Sequence, residues 1–199
     1  MKYKTMKHQL VKNYLRVLFL AIFSIFMISC DKEDERPDYF YSFRVDGVEK
    51  SFRANKDANI VFIDDSQRNL RIATWTMVTG NNTEKNALVI VLRTIERLEL
   101  GLTYQMQVPI VVQNVVSPSI AFVYLDEAGK SWGAILLEAN NPGAQDDATI
   151  RITDFSSEGT SGVFEGILVD LEDQRPLDQR RTIQITDGRF FLPNFVENM

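Results

Sequence analysis

Apolar and polar residues alternate with a period of two along most of the chain from Tyr39 onward, the repeat of a strand with one buried face. Tyr39, Tyr41, Phe43 and Val45 fall on one side, Asp46-Gly47 follows, and Val48, Phe52 and Ala54 line the return, with Lys50 the exception. Asp-Gly between two alternating runs predicts a hairpin with a two-residue turn. A short run at 60–63 stops at DDSQRN, and LRIATWTM at 70–77 resumes. After TGNNTEKN, the stretch ALVIVL at 87–92 is apolar at every position, which predicts a central strand covered on both faces. RTIERLEL at 93–100 is the only segment after the leader with a helical reading.

The second half repeats the theme. Pro109 marks the run at 103–112 as an edge strand or a bulge. Residues 119–125 and 131–137 pair across DEAGK as a further hairpin, and Asn140-Asn141-Pro142-Gly143 is a loop signal. TIRIT at 149–153 alternates cleanly, SSEGTSG turns the chain, and GVFEGILVD at 162–170 returns. Beyond the charged loop LEDQRPLDQRR, TIQIT at 182–186 leads to Asp187-Gly188, which predicts a second tight turn into Arg189-Phe190-Phe191-Leu192. The expected fold is all-β: an antiparallel β-sandwich, with a small β-barrel as the alternative, of about ten to twelve short strands joined by hairpins.

The N-terminus follows another rule. Residues 17–29, VLFLAIFSIFMIS, are thirteen uncharged positions ending at the only cysteine, Cys30. Lys2, Lys4, Lys7, Lys12 and Arg16 precede them, and no acid occurs before Asp31. A basic start, a short apolar run and a small residue at the boundary make residues 1–29 a secretory signal peptide. Thirteen residues fall short of the roughly 20 that span a bilayer, and lengthening the run upstream would bury Arg16 and Lys12. At that boundary Cys30 reads as a lipid attachment point in preference to an ordinary free thiol. Residues 30–38 then form an anchor and a charged tether, and residues 39–199 a single β-domain.

Met27-Ile28-Ser29-Cys30 resembles the lipobox of bacterial lipoproteins, and Asp31-Lys32-Glu33-Asp34-Glu35 is similar to the export signal of Bacteroidetes surface lipoproteins. The resemblance implies lipidation of Cys30, an outer-membrane location that can face outward, and an export role for Lys32, Glu33 and Asp34. FRVDGVEKSF (43–52), GLTYQM (101–106), ATIRITDF (148–155), GVFEG (162–166) and TIQITDGRF (182–190) together resemble Bacteroidetes lipoproteins with a β-sandwich-like domain. In that pattern Thr-Asp-Gly-Arg-Phe forms a final hairpin. No activity and no catalytic residue is implied by it.

Charge and composition narrow the chemistry. Five of the 22 basic residues but none of the 27 acids lie in the leader, so its removal takes the net charge from −5 to −10. That balance disfavours nucleic acid as a partner. The one histidine, His8, leaves with the leader, which excludes a Ser-His-Asp triad, a Cys-His nucleophile and histidine-based zinc or iron centres. With no glycine-rich phosphate loop or nucleophile elbow either, no cofactor and no metal centre is implied.

Trp75 and Trp132, with Tyr104 and Tyr124, are the candidate ligand-binding residues, as a platform for sugar rings. All four also lie in predicted strands, where aromatics build β cores, and core packing is the favoured reading. The acidic pairs Asp64-Asp65, Asp126-Glu127 and Asp146-Asp147, with Asp170, Glu172 and Asp173, offer oxygen ligands for calcium or carboxylates for glycoside hydrolysis, without the spacing of a calcium loop. The expected function is that of a lipid-anchored cell-envelope protein with a non-enzymatic binding or structural domain. The alternative is an accessory glycan-binding lipoprotein of a polysaccharide-uptake system. The expected partners are the membrane, through Cys30, and a glycan or an envelope protein.

Overall fold

Residues 37–198 are described by a computed structural model; the leader, Cys30 and the signal residues Lys32, Glu33 and Asp34 lie outside the described residues. The first hairpin pairs β1 (Phe40–Val45) with β2 (Val48–Arg53). Asp46 and Gly47 between them both take positive φ, 48° and 83°, as a two-residue turn matched to strand twist requires. The tip is pinned to a distant strand: Asp46 N–H donates to the Gln184 carbonyl and its Oδ1 accepts the Gln184 N–H, at 2.9 and 2.8 Å.

A meander follows, β3 (Asn59–Asp65), β4 (Leu70–Met77) and β5 (Ala87–Thr94). Next come the three-residue β6 (Thr103–Gln105) and a separate hairpin, β7 (Pro109–Val112) with β8 (Val115–Pro118). Pro109 opens β7, an edge position where its missing N–H costs no ladder bond. The chain continues through β9 (Ile120–Leu125), β10 (Ser131–Ala134), β11 (Asp147–Phe155) and β12 (Thr160–Asp170). A single 3-10 turn, Leu177–Gln179, precedes β13 (Thr182–Leu192) and β14 (Asn194–Asn198).

The architecture is all-β, a curled sheet with the order β14-β3-β4-β5-β9-β10-β12-β13-β1-β2, and with β11 and β6 branching from β12. It lies between the two expected forms. Opposite walls of the curl face each other across an aromatic core: Phe122 meets Phe164 edge-on at 5.6 Å, Phe43 meets Tyr124 at 5.4 Å, and Trp75 lies 6.0 Å from Phe190. Such pairs each contribute about 0.5–1.5 kcal/mol beyond the area they bury.

The curl closes at Pro193. There the chain leaves β13, bends, and runs on as β14 beside β3, with Ile60 N–H donating to the Pro193 carbonyl at 2.9 Å. The β14–β3 pair is parallel, so the sheet is mixed rather than wholly antiparallel. The reason is geometric: a strand that crosses from one wall to the other at a corner keeps its direction, whereas a hairpin reverses it.

Three local expectations are corrected. Asp187-Gly188 is no turn: β13 runs through it as one strand, and Thr-Asp-Gly-Arg-Phe therefore forms no final hairpin. One residue of β12, Glu165 between Phe164 and Gly166, faces two of β13, Thr186 and Asp187 between Ile185 and Gly188, which defines a β-bulge. Asp187 takes the positive φ, 54°, while Gly188 turns inward, where a Cβ would collide with the Phe164 carbonyl and ring. Residues 93–100 form no helix. Arg93 and Thr94 prolong β5, and Thr94 Oγ1 then accepts the Glu96 N–H at 3.1 Å in a side-chain turn, which an eight-residue segment prefers to costly helix nucleation. Lastly, β5 is central but covered on one face only, since Val89 is 36% exposed. Its outward valines reflect strand preference, beside Thr74 and Thr76 on β4.

Gly188→Ala is expected to destabilise the protein by about 2–3 kcal/mol, because overpacking against a strand backbone has little room to relax. Thermal unfolding followed by circular dichroism checks this, with a fall in Tm of roughly 4–12 °C for a domain of this size. Gly47→Asn, at a turn with open space around it, is expected to shift Tm far less.

Candidate functional site

The four aromatic candidates take separate places. Trp75, on β4, is 0% exposed and lies in the core, its indole N–H without a hydrogen-bond partner. Tyr104, on β6, is half-buried, and its hydroxyl accepts the Glu99 N–H at 2.9 Å. Only Tyr124 and Trp132 meet, as direct cross-strand partners on β9 and β10. Tyr124 is 2% exposed, and burial, with the charges of Asp126 and Glu127, pushes its phenol up to about 12. Trp132 is 8% exposed.

These two rings, with Val45, Lys50, Glu127 and Ile183, line a shallow recess of about 330 Å³, spanned by an ion pair between Lys50 and Glu127. The β9–β10 turn beside it is organised by Asp126. Its Oδ1 accepts the N–H groups of Ala128 and Lys130, at 2.8 and 2.9 Å, and its Oδ2 accepts the Trp132 indole N–H at 3.1 Å. Lys130 extends over the Trp132 ring, 4.7 Å from the centroid, to a salt bridge with Asp170. Asp170 is 1% exposed and also takes Arg181 Nη2 at 2.7 Å and the Glu172 N–H at 3.2 Å.

Burial alone would raise the pKa of Asp126 and Asp170, yet both lie below the ordinary carboxylate value. For Asp126 the opposing cause is the Trp132 and backbone hydrogen bonds; for Asp170 it is Lys130, the Glu172 N–H and Arg181. A general acid needs the reverse shift. What this cluster does chemically is tie β9, β10 and the end of β12 together through committed charges. Three other acids are similarly engaged: Asp65 with Arg68 at 2.8 Å, Asp173 with Arg175 at 2.7 Å, and Asp146 with the N–H groups of Ile135 and Leu136. Among the described residues no group of three or more His, Cys, Asp or Glu converges as a metal centre would.

A second recess lies on the outward face of β2, β1 and β13, and the sequence reading missed it. Ser42, Arg44, Glu49, Asp187 and Arg189 line about 320 Å³ there. The β13 bulge builds it. Without the extra residue, Asp187 would point into the core. With it, Thr186, Asp187 and Arg189 all lie outward, opposite Arg44 and Ser42 of β1. Arg44 Nε is 3.6 Å from Asp187 Oδ2. The alternation does not reveal it: Ile183 and Ile185 are inward at odd numbers and Phe190 and Leu192 at even ones, the same change of phase that a two-residue turn produces at Asp46-Gly47.

Comparison of the chain with protein-family models, with curated proteins and with solved structures finds no match to any of them.

Asp170→Asn is expected to cost about 3 kcal/mol at neutral pH, since it leaves Lys130 and Arg181 without their shared carboxylate. The depressed pKa also fixes a sign. Stability from Asp170 is complete above its unfolded value near 3.9 and is lost as pH falls through the lower folded value. Urea unfolding between neutral pH and pH 2 is expected to show a shallower acid limb in the variant than in the native protein.

Proposed function

We propose that the protein is a lipid-anchored component of a bacterial cell envelope, with a non-enzymatic β-rich body that binds or supports another envelope molecule. The observation that carries this reading is the run of thirteen uncharged residues closing on the lone cysteine, Cys30, behind five basic residues and ahead of an acidic stretch. Each buried methylene of an acyl chain contributes about 0.8 kcal/mol, so several chains on one residue hold a body of this size durably. The stretch Lys32, Glu33 and Asp34 favours the outer membrane and an outward orientation. A bilayer carries negative charge, and the −10 of the mature chain holds the body off that surface while the anchor retains it.

A glycan-binding role within a polysaccharide-uptake system is the second reading. The recess on the outward sheet face favours it, because Ser42, Arg44, Glu49, Asp187 and Arg189 combine donors and acceptors on rigid strands.

Cys30→Ala is expected to abolish incorporation of labelled fatty acid and to move the protein out of the membrane fraction. Retention in that fraction with unchanged mobility would overturn the anchor. Replacing Lys32, Glu33 and Asp34 together with alanine is expected to leave lipidation intact and to shield the protein from protease added to whole cells.

A further inference from the structure

We propose that the recess at the β13 bulge binds a carboxylate-bearing sugar, an inference that rests on the glycan reading above and names its ligand class. The groups present define the chemistry. Glu49 and Asp187 are acceptors open to hydroxyl donors, Asp187 with Arg44 3.6 Å away, and the Ser42 hydroxyl both gives and accepts. A polyol satisfies them; a polymer of bare phosphates or sulfates would meet their charge and supply no donor. Arg189 asks for the opposite. It is exposed, and no carboxylate of the described residues lies within ion-pair distance of it. Its planar fork matches one ligand carboxylate with two parallel hydrogen bonds.

The surrounding face supplies the rest. Phe40 shares the outward side of β1 with Ser42 and Arg44 and is 40% exposed, an apolar surface beside the polar recess for the C–H face of a sugar ring. Arg151 is exposed on the same cross-strand row as Arg189, with Val163 between them. Two strand spacings, about 10 Å, separate the backbone positions that carry these arginines, which suits acidic sugars repeated along a chain that runs across the strands. In a mature chain carrying a net charge of −10, this placement of arginines selects for negative charge locally against the sign of the whole. The bulge turns the backbone so that Asp187 and Arg189 both face outward, and it holds them without loop entropy to lose on binding.

The test is calorimetric titration of the purified mature protein in detergent with oligogalacturonate. Saturable binding is expected, with no heat from the carboxyl-reduced neutral oligomer. Arg189→Gln is expected to weaken binding at least tenfold with Tm unchanged, and Arg68→Gln, on the β3–β4 turn, to leave it unchanged. Vesicles bearing a uronate-headed glycolipid separate the two sources of this sugar: tighter, Arg189-dependent binding to them assigns a membrane-borne ligand, and tighter binding to the free oligomer a soluble one. No binding to either, equal loss in both variants, or equal binding of a sulfated polymer would overturn the proposal. None of these results bears on lipid attachment, which fractionation of the Cys30→Ala variant reads independently.

Discussion

Opposite walls of one sheet press on each other through rings, and everything else in the molecule is arranged to permit that contact. Phe122 on β9 against Phe164 on β12, Phe43 on β1 against Tyr124, and Trp75 on β4 against Phe190 on β13 span the interior. The chain has one cysteine and so no disulfide within itself, and this packing supplies what covalent bridges supply in disulfide-bonded domains. The β12 strand is pivotal. Its first part pairs with β11 and its last part with β10, while β13 runs along its other edge. A strand shared in this way lets the sheet bend, and the bend brings the rings together.

Two departures from regular pairing make the closure possible. One is the corner at Pro193, where a residue that cannot donate a ladder hydrogen bond ends β13 and the chain crosses to β3. The other is the bulge at Asp187-Gly188, which adds twist next to Phe164 and turns two polar side chains outward. The same defect thus serves the core and the surface. It seats Phe190 beside Phe164, 6.4 Å between ring centres, and it opens the recess in which Arg44 and Arg189 converge. The charged cluster at Asp170 belongs to the first of these tasks, since it secures β10 to β12 where their pairing is only two residues long.

Much of the fold was legible from the residues. Asp46-Gly47 between alternating runs defines the first hairpin, and the limits of β4, residues 70–77, coincide with LRIATWTM. The same dipeptide at Asp187-Gly188 misleads, because a turn and a bulge both call for positive φ, at two residues in the turn and at Asp187 alone in the bulge. What distinguishes them is the carbonyl of Phe164 across the ladder, a tertiary neighbour that local pattern does not contain. The parallel β14 is hidden for a related reason: its partner β3 begins 135 positions earlier at Asn59 against Asn194, and no hairpin signal links them. The aromatic candidates separated according to depth. Trp132 and Tyr124 meet beside a recess, whereas Trp75 lies fully buried against Phe190. Arg44 and Arg189 resemble any solvated strand residues until the bulge places them side by side.

The parallel seam between β14 and β3 has a consequence for how the polypeptide matures. The meander that contains β3 is synthesised early, but its open border acquires a neighbour only when residues 194–198 arrive, more than a hundred positions later. Until then the unfinished border offers bare N–H and C=O groups to any other strand, and the ring-lined cavity stays ajar. Closure across so great a span of sequence is slow compared with hairpin formation. Pairing of β3 with residues 194–198 is therefore a late step, and a chain without that segment is a sticky half-shell rather than a smaller version of the finished body.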